Sequence, residues 1–145
     1  MPHQLFPAEL ADVPRLIEIT VAVSSPINVT ITDPQEMKKL IQQQAVEKIL
    51  VYGKTVGLLI TEREPHHIHI RELAVDPRFQ GKRIGSAVIA TVLARAKHNT
   101  VVSLHLHPKN RAAKLYARFG FKVVGIIDNM LGDGEPRHVM ERASD

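Results

Sequence analysis

The sequence predicts a single α/β domain of the α+β type, with a mixed, mostly antiparallel sheet of about six to seven strands flanked by about four helices. Three stretches carry that prediction. Residues 49–61 form two apolar, β-branched runs around Gly53, the pattern of a hairpin. Residues 67–95 read as strand, glycine-containing loop and helix, and residues 101–127 as strand, helix and strand. At 145 residues the chain suits one domain, 1–145, long enough for a sizeable core and short for two.

Each element has a local reason. His3 to Phe6 is a short edge strand closed by Pro7. From Ala8 a helix is expected, with Leu10, Val13, Leu16, Ile17 and Val21 as its apolar stripe, Asp12 as its N-cap and Pro14 in its first turn. Ser24-Ser25-Pro26 ends it, and Ile27 to Thr32 reads as a loop. Asp33-Pro34-Gln35-Glu36 opens a second helix that turns Met37, Leu40, Ile41 and Ala45 inward. The hairpin follows, Ile49 to Tyr52 and Thr55 to Thr61 around a Gly53-Lys54 turn, with Glu62 to Pro65 a polar turn. His67 to Val75 is the next strand, ended by Asp76-Pro77. A helix carrying Ile84, Val88, Thr91, Val92 and Arg95 runs to about His98-Asn99. Val101 to His107 is a strand broken by Pro108. Asn110 to Phe119 is a helix with Ala113, Tyr116 and Ala117 on one stripe and Gly120 at its C-terminal stop. Phe121 to Ile127 and Arg137 to Glu141 are strands separated by an Asp128 to Pro136 loop.

Composition removes several classes of function. No apolar run is long enough to span a bilayer, and MPHQLF lacks the basic and apolar regions of a signal peptide, so the expectation is a cytoplasmic protein with no membrane partner. The absence of cysteine excludes disulfides, a thiolate nucleophile and a Cys-ligated metal. A net charge of +4 leaves a basic nucleic-acid-binding domain as a third reading. Its basic residues are scattered, however, and two Tyr, four Phe and no Trp give few stacking platforms, so no nucleic-acid partner is expected.

The loop Gln80-Gly81-Lys82-Arg83-Ile84-Gly85-Ser86 supplies a more specific signal. Its glycines let an anion approach the backbone, and its amides open into a helix N-terminus where the macrodipole favours phosphate. Lys82 and Arg83 add charge. Neither GxxxxGK[ST] nor GxGxxG with a following acidic residue is present. The stretch LAVDPRFQGKRIGSAVI resembles the acyl-CoA pyrophosphate loop of the GNAT superfamily of N-acetyltransferases, whose pattern is Gln/Arg-x-x-Gly-x-Gly/Ala. Gln80, Gly85 and the flanking Leu73-Ala74-Val75 match, and Arg83 replaces the first glycine. The second GNAT motif is matched by Asn110, Ala113, Tyr116, Gly120 and Phe121.

The resemblance implies a GNAT fold in which the strands before and after the loop helix are parallel neighbours, splayed to admit acetyl-CoA. It implies acetyl transfer to a primary amine, with no metal and with a homodimer common among relatives. The expected cofactor contacts are Leu73, Ala74, Val75, Gln80, Gly81, Lys82, Arg83, Ile84, Gly85 and Ser86, with Asn110 at the pantetheine arm or helix start and Tyr116 at the sulfur. Backbone N–H groups around Leu73 to Val75 are expected to face the thioester carbonyl.

The chemistry needs a proton acceptor for the amine and a donor for the departing thiolate. Tyr116 suits the donor, since a phenol near ~10 stays protonated where a thiol near ~8.5 does not. His69, six residues before Val75, is the first candidate base. Strict alternation puts it on one face with His67, Arg71, Leu73 and Val75, and puts Glu72, the second candidate, on the other with Ile68, Ile70 and Ala74, where a salt bridge is its expected duty. A water base is the third possibility. His67, His69, His105 and His107 sit in i, i+2 pairs that a zinc ion can use, but strand histidines are commonly unliganded and no metal is expected. Without cysteine, direct transfer in a ternary complex is favoured over an acyl-enzyme. A non-catalytic acyl-CoA-binding module is the alternative that Arg83 keeps open. The acceptor, a small-molecule or peptide amine, is expected between the first two helices, the Ile27 to Thr32 loop and the Asp128 to Pro136 loop. Glu18, Glu36, Asp128, Asp133 and Glu135 are the carboxylates available to attract it.

Overall fold

The computed structural model describes residues 2–143; Met1 and the last two positions of the predicted 1–145 domain lie outside the described residues. Seven strands form one sheet, β1 (Gln4–Pro7), β2 (Val46–Val51), β3 (Lys54–Glu64), β4 (His67–Val75), β5 (Val101–Leu106), β6 (Lys122–Ile127) and β7 (Arg137–Ala143). Their spatial order is β1-β2-β3-β4-β5-β7-β6, and only β4 and β5 run parallel. The helices are α1 (Val13–Val23), α2 (Pro34–Gln42), α3 (Ile84–Arg95) and α4 (Ala112–Arg118).

Local chemistry moves several boundaries. Tyr52 and Gly53 both take left-handed φ, +49° and +76°, so the hairpin turns there and not at Gly53-Lys54. β2 begins at Val46, and β3 continues through the expected polar turn to Glu64, with the reversal at Pro65-His66. A 3₁₀ turn at Leu10–Asp12 precedes α1. Asp12 does not cap α1; its carboxylate accepts from the Glu9 amide (2.7 Å) and pairs with Lys48 (3.0 Å). The late start rotates the helix: Val13, Leu16, Ile19 and Thr20 are buried, while Leu10 and Val21 are exposed. Asp33 caps α2 as expected, accepting from Gln35 N–H, and Met37, Leu40 and Ile41 are buried. α3 stops at Arg95, short of His98. Ala117 on α4 is exposed, leaving Tyr116 as that helix's buried anchor.

Two apolar layers cover the two faces of the sheet. α3 lays Val88, Ile89 and Val92 on Ile70, Val102 and Leu104, while α1 and α2 lay Leu16, Ile19, Met37 and Leu40 on Val46, Leu58, Ile60 and Ala74. Each of these buried aliphatic side chains contributes about 1.5–3 kcal/mol. β3 and β4 approach so closely that a Cβ on Gly57 would lie 2.4 Å from the Ala74 carbonyl oxygen.

Two irregularities of β4 shape the centre of the sheet. Ile60 pairs with Glu72 and Thr61 with Ile70, so Arg71 is an extra residue, a β-bulge. The strand's inside and outside swap there. Ile68 and Ile70 pack under α3 before the bulge and Leu73 and Val75 after it, whereas Ala74 joins the α1/α2 layer. β4 also pairs with β5 only over His67–Ile70 and Val101–Leu104. Beyond Ile70 the parallel strands part, which is the splay that the resemblance implies.

Candidate active site

A cleft of about 860 Å³ opens where β4 and β5 part, reaching from the loop Ile27–Ile31 and α2 to Tyr116 on α4 and Met130-Leu131. Of the segments expected to line an acceptor pocket, the Ile27 to Thr32 loop, the second helix through Glu36 and the Asp128 to Pro136 loop through Met130 and Leu131 do line this cleft, and the first helix does not.

β4 leads from this cleft into the glycine loop. Asp76 fixes its start, accepting from the Arg78 amide (2.9 Å), the Arg78 guanidinium (2.8 Å) and Arg15 (2.8 Å). Arg78, and then Arg15, hold this carboxyl well below the usual range. Gln80 donates its side-chain amide to the Val75 carbonyl (2.9 Å), tying the loop to the strand. Gly81 (φ +77°) and Arg83 (φ +62°) turn left-handed, so the arginine adopts the conformation for which glycine is better suited. The Ile84 side chain is buried in the core, which points α3 at the loop and leaves the amides of Ile84, Gly85 and Ser86 without helical acceptors. A Cβ on Gly85 would meet nothing within 4 Å, and its φ is not left-handed. The fold does not require that glycine. A bare backbone beside free amides, with Lys82 and Arg83 exposed, fits a pyrophosphate.

In the middle of the cleft is a polar cluster. Ser103 on β5 is buried, and its hydroxyl contacts His67 Nε2 (2.7 Å) and His69 Nδ1 (2.8 Å). The His105 ring leans on His69 with centroids 4.7 Å apart. Burial, then the neighbouring His105, lowers the pKa of His69, and burial lowers that of His105. His69 is therefore neutral near pH 7, with Nδ1 taken by Ser103 and Nε2 unpartnered among the described residues. His107 turns away, its Nδ1 accepting from the Lys109 amide and its Nε2 3.4 Å from Glu135. The four histidines do not converge; among the described residues no group of three or more His, Asp or Glu side chains is arranged to hold a metal ion.

Glu72 differs from its expected placement. The bulge at Arg71 carries it onto the His69 face, so both candidate bases line one cleft. Among the described residues it makes no salt bridge, because Arg71 pairs with Glu36 (3.1 Å). Glu72 Oε1 accepts from the Ile31 amide (2.8 Å), Oε2 has no partner among the described residues, and burial pushes the carboxyl up to about 7.

Tyr116 is buried with its ring edge-on to Phe121, centroids 5.4 Å apart, and burial pushes its phenol up to about 12. Asn110 accepts from the Ala112 amide (2.9 Å), starting α4, and it also lines the cleft. Of the five carboxylates expected near an acceptor, Glu36 lines the cleft. Asp133 is bound to Arg137 (2.8 Å), and Glu18 pairs with Arg15. Glu62, Glu64 and Glu141 line it unforeseen, as does Ser103. The alternation of Ser103 and His105 on β5, with Ser103 opposite His69, is the sequence signal that locates the cluster once β4 and β5 are paired.

A family model of the acetyltransferase (GNAT) domain matches residues 45–123, more than half of the chain. The chain belongs to the GNAT acetyltransferase family. Among relatives, this GNAT chain is 33% identical over 95 residues to N-acetylaspartate synthetase of Xenopus tropicalis, covering 62% of the present chain and 35% of that protein. It thus spans about a third of that relative's length. Solved GNAT structures share its fold. Ard1 from Thermoplasma volcanium superposes with a TM-score of 0.84 at 20% identity, covering 100% of this chain and 99% of Ard1. The ribosomal-protein-S18-alanine N-acetyltransferase of Escherichia coli superposes with a TM-score of 0.81 at 19% identity, covering 99% and 95%.

Proposed function

We propose that this GNAT protein transfers an acetyl group from acetyl-CoA to a primary amine by direct attack within a ternary complex. The observation that carries the reading is the parting of β4 and β5 beyond Ile70, where a cleft lined by His69, Glu72 and Tyr116 opens and β4 runs on into the glycine loop. The loop amides and Lys82-Arg83 bind the pyrophosphate, and the β5-facing edge of Leu73–Val75 receives the acyl arm where the strands have parted. Acetyl-CoA supplies the thioester, whose carbonyl carbon the amine attacks.

His69 takes the amine proton at Nε2, a role that its lowered pKa favours because the ring is neutral and ready to accept. The new C–N bond forms as the C–S bond breaks. Tyr116, up at about 12, keeps its proton and donates a hydrogen bond to the departing sulfur; the thiolate collects its proton from the imidazolium through solvent. Ser103 holds the His69 ring through Nδ1, which sets which nitrogen is free. Bringing amine and thioester together in one cleft supplies much of the acceleration by proximity.

The test is calorimetric titration with acetyl-CoA, CoA and dephospho-CoA of the wild type and of Gly85→Glu. The expected result is micromolar binding by the wild type and loss of at least about 100-fold in the variant, whose carboxylate occupies the anion site without disturbing the core. Equal binding by both proteins would overturn the assignment of the loop.

A further inference from the structure

The acceptor half of the cleft carries more negative charge than catalysis uses. Five carboxyl groups line it, Glu62 and Glu64 from β3, Glu36 from α2, Glu141 from β7 and, with burial pushing it up to about 7, Glu72 from β4. The cations in its described lining are Arg71 and Arg137. Both are engaged: Arg71 by Glu36, and Arg137 by Asp133 and by the backbone carbonyls of Glu135 and Pro136. His69 and His105 add no countercharge near neutral pH, since both are shifted toward the neutral form.

An acidic lining alone is often no more than a solvated surface. Glu72 distinguishes this one. It is 9% exposed, its Oε1 is held by the Ile31 amide, and its Oε2 is buried with nothing to bind. A buried polar atom without a partner costs about 1–3 kcal/mol, and a donor arriving in the cleft removes that cost. Register places further charge nearby, with Glu62 opposite His69 and Glu64 opposite His67 across the β3–β4 ladder. The cleft therefore offers one buried carboxylate oxygen beside the reacting centre and a pair of exposed carboxylates along its rim.

We propose that the acceptor is a primary amine carrying a second positive charge, received by the unpartnered Oε2 of Glu72, with the remote cation held by Glu62 and Glu64. This rests on the acetyltransferase reading and narrows it. The shared chemistry is that of a free diamine or polyamine and of a peptide N-terminus with a basic side chain close behind. A dicarboxylic amino acid such as aspartate fits poorly, because neither arginine in the described lining is free to meet its carboxylates. Glu72 here binds and orients the amine, while His69 takes the proton.

The experiment is calorimetric titration of the full chain with spermidine, with the tetrapeptide Lys-Lys-Ala-Ala and with aspartate, each with and without saturating CoA, in the wild type, Glu72→Gln and Glu62→Gln. Spermidine or the peptide is expected to bind and aspartate not to. The tighter of the two cationic ligands identifies the source. Binding should weaken at least about tenfold in Glu72→Gln and a few-fold in Glu62→Gln, and more so at raised salt. Glu62 is exposed and outside the core, so its variant reads the charge effect even if Glu72→Gln misfolds. Tighter binding of aspartate, no binding of either cationic ligand, or equal affinity in wild type and both variants would overturn the inference. Failure of CoA to bind would instead count against the acetyltransferase reading, and the titrations without CoA would still decide the acceptor class.

Discussion

At the glycine loop the chain offers backbone: three amides at the start of α3, two left-handed turns and a glycine whose Cβ position is open space. On the sheet face that lines the cleft it offers side chains, with His67 and His69 on the Ser103 hydroxyl, His105 against His69 and Glu72 beside Ile31. The first arrangement is local in sequence and suits one kind of ligand, an anion that needs close approach. The second draws on strands and loops up to 41 positions apart and can be retuned by single substitutions. In the proposed reading, binding of a common cosubstrate and choice of a particular acceptor are thus divided between two kinds of structure.

Tyr116 lines the cleft, and its variant should give the largest effect. Tyr116→Phe keeps the ring that packs on Phe121 and removes the hydroxyl. We expect kcat to fall by about 10²–10⁴-fold, with CoA affinity and thermal stability nearly unchanged. Steady-state kinetics beside calorimetry checks this. An unchanged kcat would make Tyr116 part of the packing and leave the leaving group to the backbone side alone.

Glu72 gives the next effect, read in stability. Its carboxyl titrates at the ordinary 4.5 when unfolded and at about 7 when folded. Between those values the native state holds a proton that the unfolded state has released. Its contribution is therefore fully present below pH 4.5, declines as pH rises and is gone above pH 7. The difference between wild type and Glu72→Gln should change by about 3 kcal/mol across that window, the variant losing less. Taking the difference cancels the opposite trend from His69 and His105, whose lowered pKa values favour the native state as pH rises. Parallel curves from denaturant melts at pH 4.5 to 8 would show that Glu72 does not titrate in this range.

The same division explains what could be read from the sequence. The loop at 80–86 and the motif at 110–121 are written in consecutive residues, so their order and spacing sufficed to place them. The seven strands follow from the order of elements, and the one parallel pair is what the family resemblance implies. The face of Glu72 could not be read, because alternation assumes an unbroken ladder and the bulge at Arg71 reverses it. Nor could the cluster at Ser103 be read, since it needs the parallel register of His69 with Ser103, which no local pattern encodes. Glu62 and Glu64 were obscured by their resemblance to turn residues, although β3 extends through both.

Ser103→Ala tests that cluster more gently. Removing the hydroxyl leaves His67 and His69 without their shared contact, for a loss of about 1–2 kcal/mol in stability if water replaces it poorly. The informative readout is the pH–rate profile. With its ring no longer held at Nδ1, His69 should titrate differently and shift the limb that it controls, while CoA affinity stays fixed. Ser103→Thr, which keeps a hydroxyl, should restore much of the wild-type profile. An unshifted profile would mean that the cluster merely fills the sheet face.

Arg83→Gly should have the smallest effect, because it sets two terms against each other. Arg83 holds φ +62°, a conformation that costs an L-residue about 1–2 kcal/mol and a glycine almost nothing. Glycine also gives the unfolded chain more freedom, which offsets about 0.4–1 kcal/mol of that relief. The net change in stability should be a gain below about 1 kcal/mol, measurable as a small rise in Tm. CoA affinity should move the other way, by a few-fold, as the guanidinium leaves the phosphate site, and that loss should shrink at high salt. A gain in both stability and affinity would mean that the side chain obstructs the loop, and that its backbone amides bind the pyrophosphate without help from charge at this position.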